Sequence, residues 1–174
     1  LSLEMLDFFK IMKSKDKTAK FIILALDDTK DFDRYIALNG LSGGDVIKIE
    51  KVVFDKVPDY LKLADAAIIF TKPNARLSSF PIKIGEYLAS GLPVVLNSGM
   101  GDVEKFIQKH RAGVVVRDFT EDNYRQAVNE LSQLLKEEGL TERLRGIARQ
   151  CLSLERGVDI YADIYNRLAE KDAR

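Results

Sequence analysis

Residues 78–107 read SSFPIKIGEYLASGLPVVLNSGMGDVEKFI. Pro81 opens a helical pattern that runs to Ser90 and stops at Gly91, with proline at the start and glycine past the end. Pro93 to Leu96 is a short apolar run and reads as a strand. After Gly99-Met100-Gly101 a second helix is expected from Asp102, as N-cap, to Lys109. Helix, strand and helix within so few residues imply crossover connections and a parallel sheet.

The same alternation continues on both sides. Upstream, Lys20 to Leu26 (KFIILAL) is apolar at nearly every position, as expected of a parallel strand buried on both faces. Asp27-Asp28-Thr29 supply caps for a helix over about 30–38, closed by Asn39-Gly40. A strand is expected at Val46 to Ile49, a helix at Val57 to Leu63 and a buried strand at Ala66 to Phe70. Residues 71–80 lack periodicity and read as a loop. Downstream, Gly113 to Val116 is the last strand. The chain is then helical in three pieces, broken near Gly139 and near Cys151 to Leu154. Residues 2–14 form an N-terminal helix. The pattern predicts one domain over 1–174, an α/β fold with a doubly wound, mostly parallel sheet.

Composition removes several functions. The 174 residues are 46% apolar, and 27 Lys+Arg balance 27 Asp+Glu. That apolar share excludes a disordered chain, and neutrality argues against a nucleic-acid partner. The longest apolar run, Phe21 to Leu26, is far short of the ~20 residues of a membrane span. One Cys and one His exclude a disulfide framework and zinc sites built on several such ligands. With no Met at position 1, the sequence reads as part of a longer chain.

In open parallel sheets, ligands bind past the carboxyl ends of the strands. There the loop 71–80 leads through Ser78, Ser79, Phe80 and Pro81 into a helix N-terminus, whose free amides favour an anion. Pro81 has no N–H, so Ile82 and Lys83 are the expected donors. A lysine in a first turn opposes the helix dipole by ~0.3–1 kcal/mol. A bound phosphate reverses that sign; the competing reading is a Lys83–Glu86 pair worth ~0.2–0.5 kcal/mol. Glu86 lies one turn on, in a helix expected to be mostly buried because positions 82, 84, 85, 88 and 89 are small or apolar. It is either a solvated helix glutamate or a carboxylate reserved for a ribose diol, with Gly85 leaving room for a ligand.

The remaining candidates read as structure. Position 104 is Glu, so no dinucleotide G-x-G-x-x-G exists at Gly99. Gly40 with Gly43-Gly44 is a turn, His110 is a residue compatible with a helix C-terminus, Cys151 is core, and Asp27 and Asp28 are caps.

Residues 78–107 resemble the C-terminal domain of group 1 nucleotide-sugar-dependent glycosyltransferases, which have two facing Rossmann-like domains in the GT-B arrangement. VPDYLKLADAAIIF (57–70), HRAGVVVRD (110–118), residues 119–136 and SLERGVDIYADIY (153–165) are similar to neighbouring parts of that domain, so the likeness spans nearly the whole chain. It implies a nucleotide-diphosphate sugar as donor, no other cofactor, and retention of anomeric configuration in glycan or polysaccharide synthesis. It puts the second glutamate of an E-x7-E pattern, which binds the ribose hydroxyls, on Glu86. The first falls on Ser78, a departure. It also places the sugar and diphosphate against Phe80 to Lys83, and the base near Val53 and Phe54. The alternative of another class is a non-catalytic nucleotide-binding or interaction module using the same crevice.

The likeness further implies a cytoplasmic protein, at most peripheral to the inner face of a membrane. It implies an N-terminal partner domain that carries the acceptor site, so that this chain alone is inactive. The family's first strand and its basic loop would precede Leu1. In the family order 3-2-1-4-5-6, that strand separates the equivalents of residues 20–26 and 66–70. Those two strands should therefore not pair directly. The open sheet edge, or the closing helix with Ile160, Ile164 and Leu168, is then available for self-association.

Overall fold

The computed structural model describes residues 1–25, 30–72 and 80–172. Helix α1 (Ser2–Lys15) leads to strand β1 (Phe21–Ala25), α2 (Lys30–Leu38) and β2 (Val46–Glu50). A 3-10 turn at Phe54–Lys56 precedes α3 (Val57–Leu61) and β3 (Ala67–Ile69). There follow α4 (Ile82–Ala89), β4 (Val94–Asn97), α5 (Asp102–His110) and β5 (Gly113–Val116). Three helices end the chain: α6 (Glu121–Leu134), α7 (Leu140–Leu152) and α8 (Leu154–Asp172). Parallel strands alternate with helices, as the periodicity predicts.

The strands form two separate parallel sheets, β1-β2 and β3-β4-β5. Phe21 pairs with Val46 and Ala25 with Glu50 in the first; Ala67 pairs with Val94, and Val94 with Gly113, in the second. β1 and β3 are not hydrogen-bonded to each other among the described residues, in keeping with the expected separation. Both strands are half-buried, where the apolar sequence predicts full burial. The reason is that among the described residues each has a strand partner on one edge only. β4 has partners on both edges and is buried along its whole length.

Helix α1 joins the two halves through different faces. Its Leu6 and Phe9 pack with Ile36, Leu41 and Val46 beside the first sheet. Its Phe8 belongs to the larger cluster around Ile84, Leu88, Leu96, Val116 and Leu144. The Phe8 ring meets Phe70 and Tyr124 edge-on, at centroid distances of 6.2 and 5.9 Å.

Two local expectations are corrected. Cys151 is exposed rather than core, because α7 turns Leu140, Leu144 and Ala148 inward instead. Asp102 is the first residue of α5 rather than its cap. The N-cap is Gly101, whose φ of 60° suits glycine. Gly91 ends α4 as expected: at φ 84° it lets Leu92 N–H reach back to Tyr87 O at 2.9 Å.

The tightest approach in the sheet is at Gly113. A Cβ built there would lie 1.9 Å from Val94 O, a main-chain atom that cannot step aside. Gly113→Ala is therefore expected to cost more than ~3 kcal/mol or to prevent folding. Gly146, in the interior of α7, has nothing within 4 Å of such a Cβ. Gly146→Ala should stabilise by about 0.5–1 kcal/mol. Thermal melts of the two variants check both signs together.

Candidate functional site

Helix α4 starts where the connection from β3 ends, so its N-terminus lies at the carboxyl-terminal edge of the second sheet. Pro81 is the N-cap, at φ −63° and ψ 129°, and no side chain caps the helix. The first turn holds no acidic residue. Ile84 N–H bonds Pro81 O at 3.0 Å. The preceding amides, those of Ile82 and Lys83, are ones an α-helix cannot satisfy internally. That leaves a positive helix end facing outward with a lysine in its first turn.

The expectation of a mostly buried helix is only partly met. Ile84 and Leu88 are fully buried, whereas Ile82 is 82% exposed and Ala89 is exposed. Composition overstated the burial because α4 presents one stripe to the core, four residues apart. Gly85 is also corrected. Its missing side chain faces Leu152 of α7, whose Cβ would lie 4.0 Å from an added Cβ, so neighbouring helix rather than open space fills that side.

Glu86 sits one turn into the helix, half-buried beside Tyr87. Burial pushes the Tyr87 phenol above its usual range, and the charge of Glu86 adds to that push. The Glu86 main chain is occupied, its carbonyl accepting from Ser90 N–H at 3.0 Å and Ser90 Oγ at 2.9 Å. Its carboxylate has no hydrogen-bond or ion-pair partner among the described residues, and Lys83 is exposed and makes no pair with it. The Lys83–Glu86 pair, the competing reading of this lysine, is therefore absent. Both charges are left facing outward from the first two turns.

Around this helix end, Phe80 is 38% exposed and rests edge-on against Phe106 of α5, with centroids 5.4 Å apart. Phe106 in turn lies 4.5 Å from the His110 ring. The His110 carbonyl accepts from Arg143 Nη1 at 2.8 Å, which fits a helix-ending role. Ser78 and Ser79, and likewise Asp27 and Asp28, fall outside the described residues. Val53 and Phe54 lie past the end of β2, 64% and 77% exposed, as unspent apolar surface at the exit of the first sheet.

Among the described residues, two cavities lie away from this helix end, at the outer edges of the sheets. One, of about 410 Å³, is lined by Ile36, Leu41 and Val46; the other, of about 230 Å³, by Val114, Gln126 and Ala127. Neither includes Lys83 or Glu86.

One polar residue of this rim was missed by the sequence reading. Asn97, the last residue of β4, is 3% exposed. Its Oδ1 accepts from Thr71 N–H at 2.8 Å, and its Nδ2 donates to Thr71 O at 3.0 Å and Ser98 O at 2.9 Å. The signal was present in the sequence: an apolar strand, PVVL, ends on an amide at the edge where ligands bind. No group of His, Cys, Asp and Glu among the described residues could hold a metal.

Comparison with known proteins places this geometry in context. The sequence profile described as "Glycosyl transferases group 1" matches residues 4–134. No curated protein sequence gives a match. Among solved structures, the chain is similar to WaaG, a glycosyltransferase involved in lipopolysaccharide biosynthesis. That similarity has a TM-score of 0.65 at 16% identity, covering 85% of this chain and 38% of that one. It is also similar to AviGT4, a glycosyltransferase involved in avilamycin A biosynthesis. Here the TM-score is 0.66 at 20% identity, covering 95% of this chain and 46% of that one. The chain therefore spans less than half the length of either.

Proposed function

The chain belongs to the group 1 glycosyltransferases, and on that premise we propose that it is the donor-binding domain of an enzyme that transfers a sugar from a nucleotide-diphosphate sugar. The observation that carries this reading is the half-buried Glu86, its carboxylate without a partner among the described residues, one turn from the uncapped N-terminus of α4. A ribose diol offers that carboxylate two O–H donors, and a diphosphate offers the helix end the negative charge it lacks. One helical turn, ~5.4 Å along the axis, separates the two.

In this reading the Ile82 and Lys83 amides and the Lys83 ammonium receive the diphosphate. Their charge stabilises the nucleoside diphosphate as it leaves the sugar, the moment when negative charge on it grows. Glu86 holds the ribose. Val53 and Phe54 cover the base, and Phe80 and Pro81 border the sugar, with Ser78 and Ser79 assigned there by resemblance. No catalytic residue is assigned within this chain.

An N-terminal partner domain with the acceptor site completes the proposal, and the chain by itself is inactive. Its support is α8, where Val158, Ile160, Tyr161, Ile164, Tyr165 and Leu168 are all exposed, an apolar surface with nothing over it. The transfer serves glycan or polysaccharide synthesis with retention of configuration. No helix among the described residues is long and apolar enough to cross a membrane. A cytoplasmic location, at most peripheral to the membrane, is part of the proposal. Ser78, where the resemblance expects a glutamate, favours the second reading: a nucleotide-binding module that does not catalyse.

Titration of the chain with UDP, GDP and CMP, followed by NMR, tests the reading. Glu86→Ala is expected to weaken the preferred nucleotide by ~1.5–3 kcal/mol, as for a hydrogen bond to a charged group. Unchanged affinity would refute the ribose role. Lys83→Ala should weaken the nucleoside diphosphate far more than the nucleoside, and equal losses for the two ligands would remove lysine from the diphosphate site.

A further inference from the structure

We propose that Asn97 is the positioning residue of the donor site: its carboxamide sets where the chain leaves β3 and therefore where the connection to α4 begins. The inference deepens the donor-site reading and rests on it for its consequence, though not for its geometry.

The β3-β4 ladder ends with Ile69 opposite Leu96. Beyond that point Thr71 has no strand partner, and the side chain of Asn97 takes over. It receives the Thr71 N–H at 2.8 Å and gives a hydrogen to the Thr71 carbonyl at 3.0 Å. A side chain is thus hydrogen-bonded as another strand would be, satisfying both backbone groups of one residue. Its second amide hydrogen goes to Ser98 O at 2.9 Å. Only an amide supplies this set, since a carboxylate accepts without donating and a hydroxyl has a single hydrogen.

The arrangement extends along the rim. Ser98 N–H bonds Val116 O at 2.8 Å and Ser98 Oγ bonds Arg117 O at 2.9 Å, tying the same segment to the end of β5. Gly99 N–H is received by the Glu104 carboxylate of α5 at 2.9 Å. At the far end of the connection, Phe80 leans on Phe106, also on α5. Both described ends of the 71–80 connection are therefore fixed to the unit β4–α5, one by an amide and one by a ring. Pro81 and the first amides of α4 follow directly from the second of these anchors.

The test compares Asn97→Leu and Asn97→Asp with Leu134→Ala. Leu134 is buried in the last turn of α6, at the opposite end of the domain from the strand exits, and serves as a destabilised control. Amide exchange at Thr71, NMR shifts of Phe80 to Lys83, and affinity for UDP, GDP and CMP are read on each. Asn97→Leu should lose protection at Thr71, shift the first turn of α4 and bind the preferred nucleotide about tenfold more weakly or worse. In Asn97→Asp, a buried carboxylate faces two carbonyls. Its binding relative to wild type at the same pH should fall at neutral pH and recover as the pH drops and the new carboxyl gains a proton to donate. The control should show neither the shifts nor the recovery.

Wild-type shifts and protection in Asn97→Leu would overturn the proposal, as would an equal loss of affinity in the control. If Asn97→Leu does not fold, Asn97→Asp decides, and absence of recovery at low pH overturns it. If the wild type binds none of the nucleotides while Asn97→Leu still moves α4, the donor reading fails and the positioning role stands.

Discussion

The packing of β4 between β3 and β5 is the constraint on which the rest of this structure depends. Both edges of the strand are hydrogen-bonded and both faces are covered, so Val94, Val95 and Leu96 are essentially without solvent contact. A strand so enclosed admits β5 only where Gly113 lets the main chains meet. It also leaves no water for a polar side chain, and Asn97 must find its partners in the protein. Those partners are main-chain groups at the exits of β3 and of β4 itself, so the packing requirement ties the two strand ends together.

Helix α1 supplies the second constraint. Because the two sheets share no ladder among the described residues, their relative placement depends on side chains. Leu6 and Phe9 on one face of α1, and Phe8 on another, tie one cluster to the other. The Tyr124 hydroxyl donates to Glu4 O at 3.1 Å, fastening α1 to α6. Burial, with Asp7 and Glu4 nearby, holds that phenol well above its usual range. Any ligand that spans Phe54 and Glu86 depends on this helix for the distance between them.

The outward-facing groups have a common character. The N-terminus of α4 lacks a cap, Glu86 lacks a partner, Ile82 and Phe54 are exposed, and α8 presents an apolar stripe. Each is costly or wasteful for a domain considered alone, and the proposed function gives each a use, against a nucleotide or a facing domain. Elsewhere the surface is conventional, with ion pairs such as Lys13–Asp45 at 2.7 Å and a Thr120 cap on α6.

The sequence by itself determined the order and type of the elements, because apolar periodicity and the Pro and Gly punctuation are local signals. The reading over 78–107 placed α4, β4 and α5 correctly to within a residue or two. It also singled out the helix end and Glu86, since a first-turn lysine and a glutamate in an apolar helix are anomalies visible without coordinates. The tertiary structure alone decided which faces are covered. It exposed Ile82 and Cys151, turned Gly85 toward Leu152, left β1 and β3 half-buried and removed the Lys83–Glu86 pair. It also revealed Asn97, whose role is defined by Thr71, a residue distant in sequence that only strand pairing brings alongside. Burial and hydrogen-bond partners are properties of neighbours, and neighbours are set by how helices and strands pack, which no local pattern records.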